Sequence, residues 1–185
     1  MSTDTITQNL TGDFTIDTAH SRIGFVARHA MVTKVHGHFG EFSGTAHLDQ
    51  ANPANTTAQV TIKVDSINTS NEQRDGHLRT NDFFDAPTFP EITFTSNLVE
   101  TVGTDEYRMT GDLTIKGVTK SIVIDWESTG TAVDPYDNLR AGFEGKAVIN
   151  RSDFGVNFNA ALETGGVLVS DKITLEFDVS AIKHA

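Results

Sequence analysis

The chain holds 185 residues, enough to bury a core and suited to one domain. It carries 25 acidic against 14 basic residues, a formal charge of -11 at pH 7. A nucleic-acid backbone would repel that surface, and no window gathers the basic cluster that an anionic lipid surface needs.

Cysteine is absent, which excludes disulfides, thiolate metal sites and a cysteine nucleophile. The opening MSTDTITQNLTGDF has no basic start and no apolar run of the length a secretory signal needs, so the expected location is the cytoplasm. Residues 1–12 read as a disordered polar tail, followed by one domain over residues 13–185. No segment approaches the roughly 18 apolar residues of a membrane helix, so the chain is not expected to be membrane-integral.

Taken in chain order, the dominant signal is period-two alternation, the mark of half-buried strands. DFTID is a short leading strand. In SRIGFVARH, Ser21, Ile23, Phe25, Ala27 and His29 share one face, and Arg22 and Arg28 take the other. His29 is therefore expected to point inward, where a histidine needs a hydrogen-bond partner. VHGHFGEFSGTAHLD has a phase break: Phe39 is odd-numbered, whereas Phe42, Gly44, Ala46 and Leu48 are even. An extra residue near Gly40, a β-bulge, accounts for it. AQVTIKVD alternates through Ala58, Val60, Ile62 and Val64.

TSNEQRDGHLRTNDFF breaks the alternation. Ser70 with Gln73 makes a capping box, which predicts a short helix over about 71–80. Arg74, His77 and Leu78 share one helical face, and Asp75 falls on another. Strands resume with EITFTSNL (Ile92, Phe94), YRMTGDLTIK (Met109, Leu113, Ile115) and SIVIDWES (Ile122, Ile124, Trp126). AGFEGKAVI (Phe143, Ile149) and KITLEFDVSA (Leu175, Phe177) complete the set, about nine strands in all. Turn signals separate them at Asn52-Pro53, Gly103 to Asp105, Lys116-Gly117, Asp134-Pro135 and Gly165-Gly166.

So many antiparallel strands must close into a barrel or stack as a sandwich. Small inward residues such as Gly111, Gly145, Ala141 and Ala147 are expected to leave room for a cavity, with barrel corners or bulges the competing role for the glycines. No phosphate-binding glycine loop, dinucleotide fingerprint or zinc-protease motif is present, and no cofactor is expected. His36 and His38 fall on one strand face, opposite to Phe39, and are expected to face solvent rather than bind a metal. Asp75 and His77, two apart on a helix, do not face one another, which is poor geometry for an active site and good geometry for a clasp.

The segments FTIDTAHSRIGFVARH, VHGHFGEFSG, RDGHLRTNDFFDAPTFPEITF, GDLTIKGVTKSI and INRSDFG come in an order that resembles the YceI-like family of polyisoprenoid-binding, lipocalin-like barrels, in the form of its cytoplasmic, actinobacterial-type members. The resemblance runs from about Gly12 to Ile182. It implies an all-β fold: an extended eight-stranded antiparallel barrel with a short helical segment over one end. It also implies a long isoprenoid, quinone-type or fatty amphiphile inside, a homodimer in many members, and no catalytic residues.

The resulting expectation is a binding or carrier protein, not an enzyme. The tail is expected to lie against Ile23, Phe25, Phe39, Phe42, Phe94, Ile115, Trp126 and Phe143. Phe83, Phe84, Phe154 and Phe158 are expected at the mouth, with His29, Arg74 and His77 available to a head group. The alternative is an enzyme acting on a lipophilic ligand, with His29 or His77 as acid or base near Arg74.

Overall fold

The structure, a computed structural model, describes residues 9–160, 162 and 168–184. The expected tail over 1–8 and the Gly165-Gly166 turn lie outside the described residues. Leu10, in the remainder of that stretch, packs on a small core cluster, and its N–H donates to Gln50.

Eleven strand segments form one antiparallel sheet. They are β1 (Gly12–Ile16), β2 (Arg22–His29), β3 (Thr33–Phe39), β4 (Phe42–Leu48), β5 (Thr57–Lys63) and β6 (Ile67–Asn68). After helix α1 (Glu72–Leu78) come β7 (Glu91–Gly103), β8 (Glu106–Ile115), β9 (Val118–Val133), β10 (Leu139–Asn150) and β11 (Lys172–Lys183). The barrel closes because β1 pairs with both β4 and β11. The closed ring β1-β4-β5-β7-β8-β9-β10-β11 has the expected eight staves.

The extra segments are continuations of staves rather than additions to the ring. β2 extends the β1 stave along β11, β3 extends the β4 stave along β2, and β6 extends the β5 stave along β3. Each of these three staves kinks. Asp17 accepts the Ala19 N–H to turn the chain through a 3₁₀ helix between β1 and β2. The phase break at Gly40 is such a kink, between two strands, rather than one extra residue within a ladder. The kinks are tied side by side: the Gly40 N–H donates to the Ser66 carbonyl at 3.0 Å, and the Lys63 N–H to the Glu41 carbonyl at 2.9 Å. The Val64 N–H donates to the Pro90 carbonyl at 3.0 Å, joining the third kink to the start of β7.

β6 has only two residues and ends the sheet order, so it presents an unpaired edge. α1 packs against it, and Arg79 donates to the Asp65 and Ile67 carbonyls. The helix thus satisfies backbone groups that a further strand would otherwise have met. Its cap is Asn71, whose side chain accepts the Arg74 N–H, and not Ser70. Ser70 adopts φ +64° and its N–H donates to Asn68, so the chain enters the helix one residue later than the capping-box pattern suggests.

The glycines correct the sequence reading in a useful way. A Cβ on Gly37 would strike the Phe25 ring, one on Gly111 the Phe94 ring, and one on Gly145 the Trp126 ring. The space above these glycines is therefore occupied. Each one lets an aromatic side chain from the neighbouring strand lie down along the wall.

At the far end from α1, Arg140 donates to Asp134 at 2.8 Å and to Asp17 at 2.6 Å, joining the β9–β10 turn to the β1–β2 kink. Arg140, then His20, hold the Asp17 carboxyl below its ordinary range. At Asp134 burial alone would raise the pKa, but the Asn138 N–H and the Arg140 guanidinium outweigh it, and this carboxyl also lies below its ordinary range.

Two predictions follow from this geometry. Gly111→Ala forces its methyl to within 2.6 Å of the Thr95 carbonyl as well as onto the Phe94 ring, and is expected to cost about 1–3 kcal/mol in urea unfolding. Both carboxylates bind protons less readily folded than unfolded. Their stabilisation is present above the unfolded pKa of about 3.9 and is lost as pH falls through the folded values. The urea midpoint should fall as pH drops below about 4, and fall less steeply in Arg140→Met. Equal slopes would remove the clamp.

Candidate functional site

The inward faces enclose a cavity of about 390 Å³, within the roughly 300–1,000 Å³ typical of small-molecule sites. Alternation positions its wall. Phe94 and Leu113 face each other across β7 and β8, Trp126 and Gly145 across β9 and β10, and Phe25 and Gly37 across β2 and β3. The lining is apolar almost throughout. Phe14 and Phe154, each about 1% exposed, belong to the two ends. Phe14 packs with Ala141 and Ala181, and Phe154 follows β10 on a 3₁₀ turn.

Ten of the fifteen residues expected at the site line this cavity. Ile23, Phe25, Phe39, Phe94, Ile115, Trp126 and Phe143 come from strands, and Phe83, Phe84 and Phe154 from the closing segments. Phe42 packs on the core beside the cavity without lining it. Phe158 and Phe83 form a ring cluster with His77, with centroids 4.9–5.1 Å apart.

The polar residues behave differently. His29 is exposed, not inward, because it ends β2 at the rim, next to a turn in which Ala30 and Met31 both take positive φ. His77 is engaged by Asp82 at 2.8 Å. Arg74 donates through Nε to the Thr69 hydroxyl at 2.8 Å and through Nη2 to the Thr69 carbonyl at 2.6 Å. Asp75 is the buried member of the group, and one of its oxygens accepts both the N–H and the hydroxyl of Thr69. The stretch is a clasp that fixes α1 to the end of the third stave. His36 is exposed and His38 half-buried on β3. Among the described residues no group of three or more potential metal ligands converges.

Two features escaped the sequence reading. Arg151, in INRSDFG, is 7% exposed and lines the cavity. It donates to the carbonyls of Ser170, Val156, Phe158 and Val169, stitching the exit of β10 to the segment before β11. Burial pulls its pKa below the ordinary guanidinium value, and Asp171 opposes the shift. The second feature is a polar sector of the lining, with Asp49, Gln50 and Thr56 after β4 and Asp105, Tyr107 and Ser128 around β8 and β9. Tyr107 and Ser128 could have been found, since alternation puts both on inward faces. The four carbonyls around Arg151 leave no trace in residue type.

A profile of the YceI-like domain matches residues 14–181. The chain belongs to the YceI-like family. A UPF0312 protein of Staphylococcus aureus strain N315 is 41% identical over 165 residues, which cover 89% of this chain and 94% of that protein. Among solved structures, the Campylobacter jejuni YCEI protein is 35% identical with a TM-score of 0.72, over 85% of this chain and 90% of that one. Burkholderia cenocepacia BcnA is 28% identical with a TM-score of 0.79, over 89% and 98%. A polyisoprenoid binding domain from Saccharophagus degradans is 17% identical and shares the YceI-like fold, with a TM-score of 0.68 over 92% and 98%.

The clasp yields its own test. Asp75→Ala leaves the buried Thr69 N–H and hydroxyl without their acceptor, and is expected to cost about 1–3 kcal/mol. Hydrogen exchange should accelerate in α1 while β7 to β10 stay protected. Unchanged exchange in α1 would mean that the helix is held by something else.

Proposed function

We propose that the protein binds and carries an amphiphile whose long isoprenoid-type chain occupies the barrel, a polyprenyl, quinone-type or comparable fatty molecule. The observation that carries this reading is the apolar cavity itself, bounded by Phe14 at one end and Phe154 at the other. The described residues of α1 and the clasp close one side of it, with Arg74 held on Thr69 and His77 on Asp82. The fold shared with a polyisoprenoid binding domain supports the same reading.

The energetics favour a chain over a compact ligand. Each buried CH₂ contributes roughly 0.8 kcal/mol, so one five-carbon unit contributes about 3–4 kcal/mol before the costs of association and ordering. Affinity then tracks chain length until the cavity is full, and polar groups mainly set orientation.

Native mass spectrometry and solvent extraction of the purified protein are expected to reveal a co-purified amphiphile. A stripped sample titrated with prenyl chains of increasing length should bind more tightly with each added unit and then level off. A protein that comes off clean and takes up no prenyl chain of any length would refute the proposal.

A further inference from the structure

The turn between β2 and β3 holds Ala30, Met31 and Val32, and two of these stand in solvent: Met31 is 55% exposed and Val32 77%. The Val32 N–H donates to the His29 carbonyl at 3.0 Å, and Ala30 and Met31 between them take φ +51° and +62°. Asn and Gly are the residues that such a left-handed turn favours. Turn chemistry therefore does not explain the methionine, and exposure forgoes the burial that an apolar side chain ordinarily gains. The turn is fastened at its base, where the Ala30 N–H donates to the Leu168 carbonyl at 2.8 Å and His29 bridges Val169. Ala27, two residues before His29, and Val169 both line the cavity.

The charge around this tip is unlike that of the rest of the chain. Residues 21–40 hold two arginines, one lysine and three histidines but no carboxylate, in a chain with 25 acidic residues. Arg28 and Lys34 are exposed and directly opposite one another on β2 and β3, a like-charge pair that costs stability. Lys172, also exposed, starts β11 two residues before the Thr174–Val26 pair, so the neighbouring strand adds a third cation. The ion pairs among the described residues involve none of the three. The carboxylate next to Lys172, Asp171, accepts the Ser152 N–H and hydroxyl. No window of sequence shows this cluster, because three strands contribute to it. We infer that the β2–β3 tip docks on an anionic lipid bilayer, with Met31 and Val32 entering the interface and Arg28, Lys34 and Lys172 meeting the lipid phosphates.

The opposite end of the barrel offers the comparison. The β9–β10 turn also exposes apolar side chains, Val133 at 53% and Tyr136 at 84%, but Asp134 and Asp137 stand on either side of Tyr136. An anionic surface would repel that tip. β10 runs from this turn to Asn150, which pairs with Lys172, so the two tips lie at opposite ends. The chain charge of -11 does not forbid contact at the cationic tip, because repulsion from charges more than about 8 Å away is screened at physiological salt. The docking surface stands without the carrier reading. Together with it, the tip brings the cavity wall at Ala27 and Val169 toward the layer in which an amphiphile resides.

The test is sedimentation of the full chain with phosphatidylcholine vesicles, plain or containing about one-third phosphatidylglycerol. The wild type should bind the anionic vesicles about tenfold more tightly than the plain ones, and added salt should weaken that binding. Met31→Asn with Val32→Ser, in which the asparagine suits the turn, should weaken it about tenfold. Arg28→Gln with Lys34→Gln should weaken it about twentyfold, at about fivefold per cation. Val133→Ser with Tyr136→Ser should leave it unchanged. In the wild type, hydrogen exchange should slow over residues 29–34 on the anionic vesicles and not over 133–138, a readout that needs no variant. Equal binding to both vesicles, binding to neither, binding that survives both tip variants, or protection over 133–138 instead would overturn the inference. Self-association that Met31→Asn with Val32→Ser abolishes, without vesicle binding, would overturn it by assigning the tip to a second copy of the chain. Each of these results leaves the carrier reading to the prenyl titration.

Discussion

An eight-stave barrel must do something with its inward side chains. They can meet at the axis and fill it, or lie along the wall and leave the axis free. Here an aromatic ring repeatedly lies over a glycine of the next strand: Phe25 over its partner Gly37, Trp126 over its partner Gly145, and Phe94 diagonally over Gly111. Each ring covers its glycine instead of projecting toward the centre. The apolar area is buried, the wall is thickened, and a cavity of about 390 Å³ remains. The stacking of Trp126 on Phe177 follows the same rule.

A hollow interior makes the ends matter more than in a filled barrel, and the buried polar groups concentrate there. Asp75 and Arg74 converge on Thr69 and hold α1 against the short strand β6. Arg151 gathers four carbonyls where the chain leaves β10, and Arg140 joins the Asp17 carboxylate at the β1–β2 kink to the Asp134 carboxylate in the β9–β10 turn. Each is a satisfied network that fixes a non-strand segment to the wall, where the ladder itself supplies no hydrogen bonds. The charged residues that look most like chemistry in the sequence are, in the fold, largely fasteners.

Strand identity and the barrel were legible because a two-residue period survives in any half-buried strand. The interruptions were less so. The kink at Gly40 shows as a change of phase, but the one at Val64 does not, since Val64 stays in step with Ile62 while entering a 3₁₀ turn. His29 keeps the inward phase of Ile23 and Phe25, yet alternation cannot tell where a strand runs out at the rim. Asp75 was placed by helical spacing relative to His77, but its partner, Thr69, lies before the helix. The aromatic lining was readable as a set. What the glycines do beneath it was not, because spacing along one strand does not disclose which ring the next strand lays over it.

The central claim is that the space along the barrel axis belongs to a ligand chain. A crystal structure of the protein saturated with a long polyprenyl or quinone-type amphiphile tests it most directly. The account predicts continuous elongated density inside the barrel, running between the Phe14 and Phe154 ends, with the rings over Gly37, Gly111 and Gly145 still flat against the wall. Rings turned inward to fill the axis, with no density between them, would contradict it.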